Sequence, residues 1–91
     1  MKFKNSSDIS ADGTCLQGYV HTTYDRLVEV FGQPTYTEPG DKTTAEWILQ
    51  FGNGTVATIY DYKEYTTPAG MYNWHIGGHD ARAPYYVNEL I

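Results

Sequence analysis

The chain has 91 residues, 41% hydrophobic and 19% charged, which fits one folded domain and leaves no room for two. Eleven acidic residues against six basic ones give a net charge of −5, which excludes a non-specific grip on a nucleic-acid backbone and docking on an anionic membrane. The single cysteine, Cys15, excludes an internal disulfide, and no stretch approaches the ~20 apolar residues of a membrane span.

Residues 1–13 are polar, end in Ala11-Asp12-Gly13, and read as a flexible N-terminal segment ahead of a single domain over 14–91. Met1 to Ser6 holds no apolar signal-like run, which points to a cytoplasmic protein. Thr14 to Val20 reads as a short strand with Leu16 and Val20 inward. Tyr24, Leu27, Val28 and Phe31 then fall at i, i+3, i+4 and i+7, the apolar face of a helix. Thr22, three residues before Asp25, suggests its cap, and Gly32 with Pro34 its stop. Residues 33–43, with two prolines and a glycine, read as a loop.

A hairpin follows. Ala45 to Phe51 alternates, with Trp47, Leu49 and Phe51 on one face and Glu46, Ile48 and Gln50 on the other. Gly52-Asn53-Gly54 supplies the turn. Thr55 to Tyr62 places Val56, Thr58, Tyr60 and Tyr62 on one face, opposite Ala57, Ile59 and Asp61. Beyond a polar loop over 63–70, Met71 to Ile76 predicts a strand ended by Gly77-Gly78. Ala83, Tyr86, Val87 and Leu90 predict a last helix from about Pro84 to Leu90. The order β-α-β-β-β-α predicts an α+β fold: one antiparallel sheet with two helices packed on one face.

Several constellations are candidates for chemistry. His75 and His79 are four residues apart, but the glycines between them rule out a helix. Three histidines and one cysteine spaced this way do not predict a closed metal site, so neither metal nor cofactor is expected. Cys15 with His21 is the one available nucleophile–base pair, and Glu46 with Asp61 the one carboxylate pair on adjacent strands. Neither has support beyond composition, so a binding role is expected rather than an enzyme. Gly77 and Gly78 before a helix read either as a turn or as free N–H groups that cradle an anion with His75, His79 and Arg82. Tyr60, Tyr62 and Trp74, with Lys63 close by, combine stacking rings with a cationic donor, as a nucleotide-like ligand requires. Trp74 also reads as core, because Tyr72 and Ile76 share its face.

The runs Tyr24 to Pro34, Ala45 to Phe51, Gly54 to Lys63 and Trp74 to Gly78 resemble a group of small bacteriophage proteins of unassigned function, over roughly residues 15–90. The resemblance implies a counter-defence role in the host cytoplasm. Two forms of it are open. In one, the protein sequesters a nucleotide-derived immune signal without cleaving it, through Tyr60, Tyr62, Lys63, Trp74, His75, Gly77, Gly78, His79 and Arg82. In the other, an acidic surface of Asp25, Glu29, Glu38, Asp41 and Glu64 inhibits a basic host protein such as a CRISPR nuclease. The aromatic strands favour the first and the net charge the second. Homo-oligomerisation is compatible with either.

Overall fold

A computed structural model describes residues 1–91. The elements are β1 (Phe3–Asn5), β2 (Cys15–Thr22), α1 (Tyr24–Phe31), β3 (Tyr36–Gly40), β4 (Thr43–Phe51), β5 (Val56–Tyr60), β6 (Tyr72–Gly78) and α2 (Arg82–Leu90). All six strands form one antiparallel sheet in the order β1-β4-β5-β6-β2. β3 pairs beside β1 along the outer edge of β4. The α+β class and the single antiparallel sheet are as the residue pattern predicts, with two more strands than it shows.

Both extra strands lie where apolar alternation is absent. β1 sits in the polar stretch that reads as a flexible segment, yet Lys4 pairs with Gln50, and Phe3 packs edge-on against Phe31 at 5.2 Å. β3 is exposed along its whole length and contains Pro39, so it carries none of the period-2 signal of a half-buried strand. Pairing with β4 is what makes it a strand.

The core is one apolar layer between the sheet and the two helices. Trp47, Leu49 and Phe51 of β4, Ala57 and Ile59 of β5, Trp74 and Ile76 of β6 and Val20 of β2 meet Leu27 and Phe31 of α1 and Ala83 and Val87 of α2. The two indoles pack edge to face at 5.5 Å. Each finds a carbonyl at an end of α1: Trp47 Nε1 donates to Gly32 O at 2.8 Å and Trp74 Nε1 to Thr22 O at 3.2 Å. The α1 cap is Thr23, one residue later than expected, because Thr22 still belongs to β2. Its hydroxyl accepts from Arg26 N at 3.1 Å.

A register shift between Leu16 and Gly18 moves Leu16 out of phase with Val20. Val20 is therefore buried, whereas Leu16, expected inward, is 47% exposed. Residues 6–14 carry the chain from β1 at one sheet edge to β2 at the other. With both helices on one face, this segment takes the opposite one, where Gly13 lies beside the His79 ring. Ile48, Val56 and Thr58 point to that side and are buried. The rest of the helix-free face has no cover.

Candidate functional site

The uncovered part of the sheet is organised by register. Tyr36 pairs with Glu46, Glu46 with Tyr60, Tyr60 with His75, and His75 with Tyr19. Side chains directly opposite across a sheet point to the same face. These five therefore form a row across β3, β4, β5, β6 and β2, on the side away from the helices. Tyr19 and Tyr36 at its two ends are 50% and 42% exposed.

His75 is the hub. Its ring lies 5.0 Å from Tyr19, 5.4 Å from Tyr60 and 5.6 Å from Tyr62, centroid to centroid. Its Nδ1 is buried and has no hydrogen-bond partner. Burial among these rings lowers the His75 pKa, and the charge of Asp61 partly opposes the shift. Burial likewise raises the Tyr60 hydroxyl pKa, helped by the Glu46 charge, and raises the Glu46 carboxyl.

At the lower end of this face two lysines meet one ring. Asp61 follows β5 into the core side of the sheet and accepts from Thr44 N at 2.8 Å and Ala45 N at 3.1 Å. That anchor delivers Tyr62 and Lys63 onto the start of β4. Lys63 has a left-handed backbone, φ 59°, and its N–H donates to Lys42 O at 2.7 Å. The Lys63 and Lys42 ammonium groups stand 5.3 and 6.0 Å from the centre of the Tyr62 ring. The ion pairs of the protein are Arg26–Glu29 and Arg82–Asp80, so both lysines are free of carboxylate partners. With Asp41, Glu64 and Tyr65 they line a shallow concavity of about 280 Å³.

The fold brings together Tyr60, Tyr62, Lys63 and His75 from the predicted site and separates the rest. Trp74 is on the core face and fully buried, because it alternates with His75 along β6. Gly77 and Gly78 are not a turn. They extend β6, each paired with β2 on one side and β5 on the other, so they offer no anion cradle. Both positions exclude a side chain for packing reasons. A Cβ would lie 2.5 Å from Thr58 Oγ1 at Gly77 and 2.4 Å from Ala83 Cβ at Gly78.

His79 and Arg82 lie beyond the end of β6. β5 and β6 are antiparallel, so the end of β5 that carries Tyr62 meets the start of β6. That sets Tyr62 roughly 20 Å from the β6 end, at ~3.3 Å per residue over six residues. Arg82 is also engaged there: Asp80 accepts from its Nε at 3.0 Å and from its Nη2 at 2.8 Å. These bonds hold the Asp80 carboxyl at about 2, so a carboxylate already occupies the place of an anion.

The remaining constellations also come apart. Glu46 and Asp61 lie on opposite faces of the sheet, since Glu46 pairs with Tyr60. Cys15 and His21 sit at opposite ends of β2, and His21 Nδ1 bonds Asn73 Oδ1 at 2.7 Å. No three His, Cys, Asp or Glu side chains converge. Sequence reasoning missed Tyr19, Tyr36, Glu46 and Lys42 as neighbours of this site. The alternation of β4 does mark Glu46 as facing away from Trp47. Tyr19 needed the β2–β6 pairing, and Tyr36 and Lys42 needed the β3–β4 pairing.

No family model, curated protein or solved structure matches the chain. No helix is long and apolar enough to cross a membrane.

Proposed function

We propose that the protein acts by binding, without chemistry of its own, and that its helix-free face takes a planar anionic ligand of nucleotide type. One observation carries this reading: two unpaired ammonium groups stand over the ring of Tyr62, itself packed on the Tyr60–His75–Tyr19 cluster. Rings that stack a base, next to cations that hold its phosphate, are what such a ligand needs. The anion centre of this reading is Lys42 with Lys63 instead of His79 with Arg82. The resemblance to small phage proteins supplies its biological form, a cytoplasmic counter-defence factor that sequesters a nucleotide-derived immune signal.

Calorimetry against a panel of mono-, di- and cyclic nucleotides tests it. Lys42→Ala and Lys63→Ala should each weaken binding about 10-fold, the low end for a charge-assisted contact because both groups are solvated. Arg82→Ala should leave affinity unchanged. A panel in which nothing binds tighter than millimolar would overturn the reading. A second reading is supported by the exposed carboxylates Asp25, Glu38, Asp41 and Glu64, which suit a basic protein partner. In that case charge-reversing Glu38 and Asp41 together would abolish capture of the partner, and nucleotides would not compete.

A further inference from the structure

Glu46 is the second residue of the row, between Tyr36 on β3 and Tyr60 on β5. It is half-buried, and its carboxylate makes no hydrogen bond and no ion pair within the protein, the two ion pairs being elsewhere. Burial withdraws it from water only in part, enough to raise its pKa, and its oxygens still reach solvent, open to a ligand. Its neighbours along β4 do not compensate it: the Thr44 hydroxyl is bound to Asp61, away from this face, and Ile48 is apolar. Register sets a tyrosine on the strand at either side of this carboxylate, so a flat group resting on those side chains would present its edge to Glu46.

A carboxylate presents two acceptor oxygens side by side and, when ionised, no donor. Its complement is a planar edge with two adjacent N–H donors. Among the common bases guanine alone offers that pair, its ring N1–H beside its 2-amino group. Adenine and cytosine each set one amino donor beside a ring acceptor, which would face the carboxylate with like charge. Uracil sets a single N–H between two carbonyls. Lys42, in the turn just before β4, lies four residues before Glu46, at most about 13 Å away. Base and phosphates of one ligand would then engage the two ends of the same face.

We propose that Glu46 is the base-reading residue of this face and that the ligand carries a guanine-type edge. This inference rests on the nucleotide-binding reading above and adds the identity of the base. The test compares GDP, IDP and ADP by calorimetry on the wild-type protein and on Glu46→Gln. Hypoxanthine, the base of IDP, differs from guanine only in lacking the 2-amino group, so IDP isolates one of the two donors without touching the protein. Wild type should bind GDP about 10-fold tighter than IDP, and tighter still than ADP, the usual discrimination of a bidentate contact. Glu46→Gln replaces one acceptor oxygen with a donor. It should remove the GDP preference while leaving the Lys42- and Lys63-dependent affinity shared by all three. Three diphosphates that bind wild type equally, or a GDP preference that persists in Glu46→Gln, would overturn the inference and leave the nucleotide-binding reading standing. Failure of all three to bind would overturn the inference, and the nucleotide-binding reading with it where the mono- and cyclic nucleotides of the panel fail too.

Discussion

Replacing Asp61 with alanine should be among the most damaging single changes outside the apolar core. Its side chain is fully buried, and each of its bonds is one that the start of β4 depends on. Oδ1 accepts from Thr44 N at 2.8 Å and from Ala45 N at 3.1 Å, and Oδ2 accepts from the Thr44 hydroxyl at 2.6 Å. Alanine leaves two backbone donors without an acceptor, and a buried unsatisfied donor costs about 1–3 kcal/mol. The Thr44 hydroxyl loses less, because Thr67 Oγ1 is already 2.8 Å away. The sum is about 3–5 kcal/mol, a large share of the ~5–15 kcal/mol that holds a small domain together. At ~4–8 °C per kcal/mol for this size, 3 kcal/mol lowers Tm by roughly 12–24 °C. Asparagine keeps one acceptor for both N–H groups and presents its amide to a hydroxyl that can turn to accept. It should therefore cost only about 1 kcal/mol, the loss of charge assistance. Urea unfolding followed by the fluorescence of the buried Trp47 and Trp74 measures both variants. Alanine costing under 1 kcal/mol, or asparagine costing as much as alanine, would refute the assignment of Asp61 as the anchor of β4.

Two further outcomes follow from burial. Leu27→Ala removes a fully buried side chain from the layer between α1 and the sheet and should cost about 2–5 kcal/mol in the same unfolding experiment; a loss under half a kilocalorie would mean that the helix face is not packed. His75 has a pKa lowered from 6.5 by burial, so the folded protein holds the ring neutral while the unfolded chain takes up a proton first. Its contribution to stability is therefore lost as pH falls through the unfolded value of 6.5 toward the lower folded value. Glu46, raised from 4.5, works in the opposite sense at lower pH. The urea midpoint should drop between about pH 7.5 and about pH 5.5 in wild type and drop less in His75→Gln; equal drops would show that other groups carry the pH dependence.

The sequence shows its elements where burial imposes a period. The α1 face of Tyr24, Leu27, Val28 and Phe31 and the β4 face of Trp47, Leu49 and Phe51 are legible because each stripe has one buried side, and the two meet in the core as expected. β1 and β3 are not legible, since neither carries an apolar alternation and pairing with β4 alone makes them strands. The Gly77-Gly78 pair misleads for a related reason. Glycine is called for both by turns and by close approach, and only the positions of Thr58 and Ala83 show that close approach is the cause here.

For the site, the sequence by itself determined the ingredients: tyrosines too many for a small core, a strand that ends in Tyr60 and Tyr62, a lysine after it, and a histidine alternating with a core tryptophan. Which of these become neighbours was decided by antiparallel register. A strand's alternation fixes which side chains share a face, but where that face lies along its partner strand is set by pairing and by register shifts. Pairing Tyr60 with His75 assembled the ring cluster, and pairing β2 with β6 set Tyr19 beside it. The same antiparallel run carried His79 and Arg82 to the far end of the sheet. Tertiary structure alone placed Glu46 between two tyrosines, because β3, which supplies the second of them, exists only through its pairing with β4.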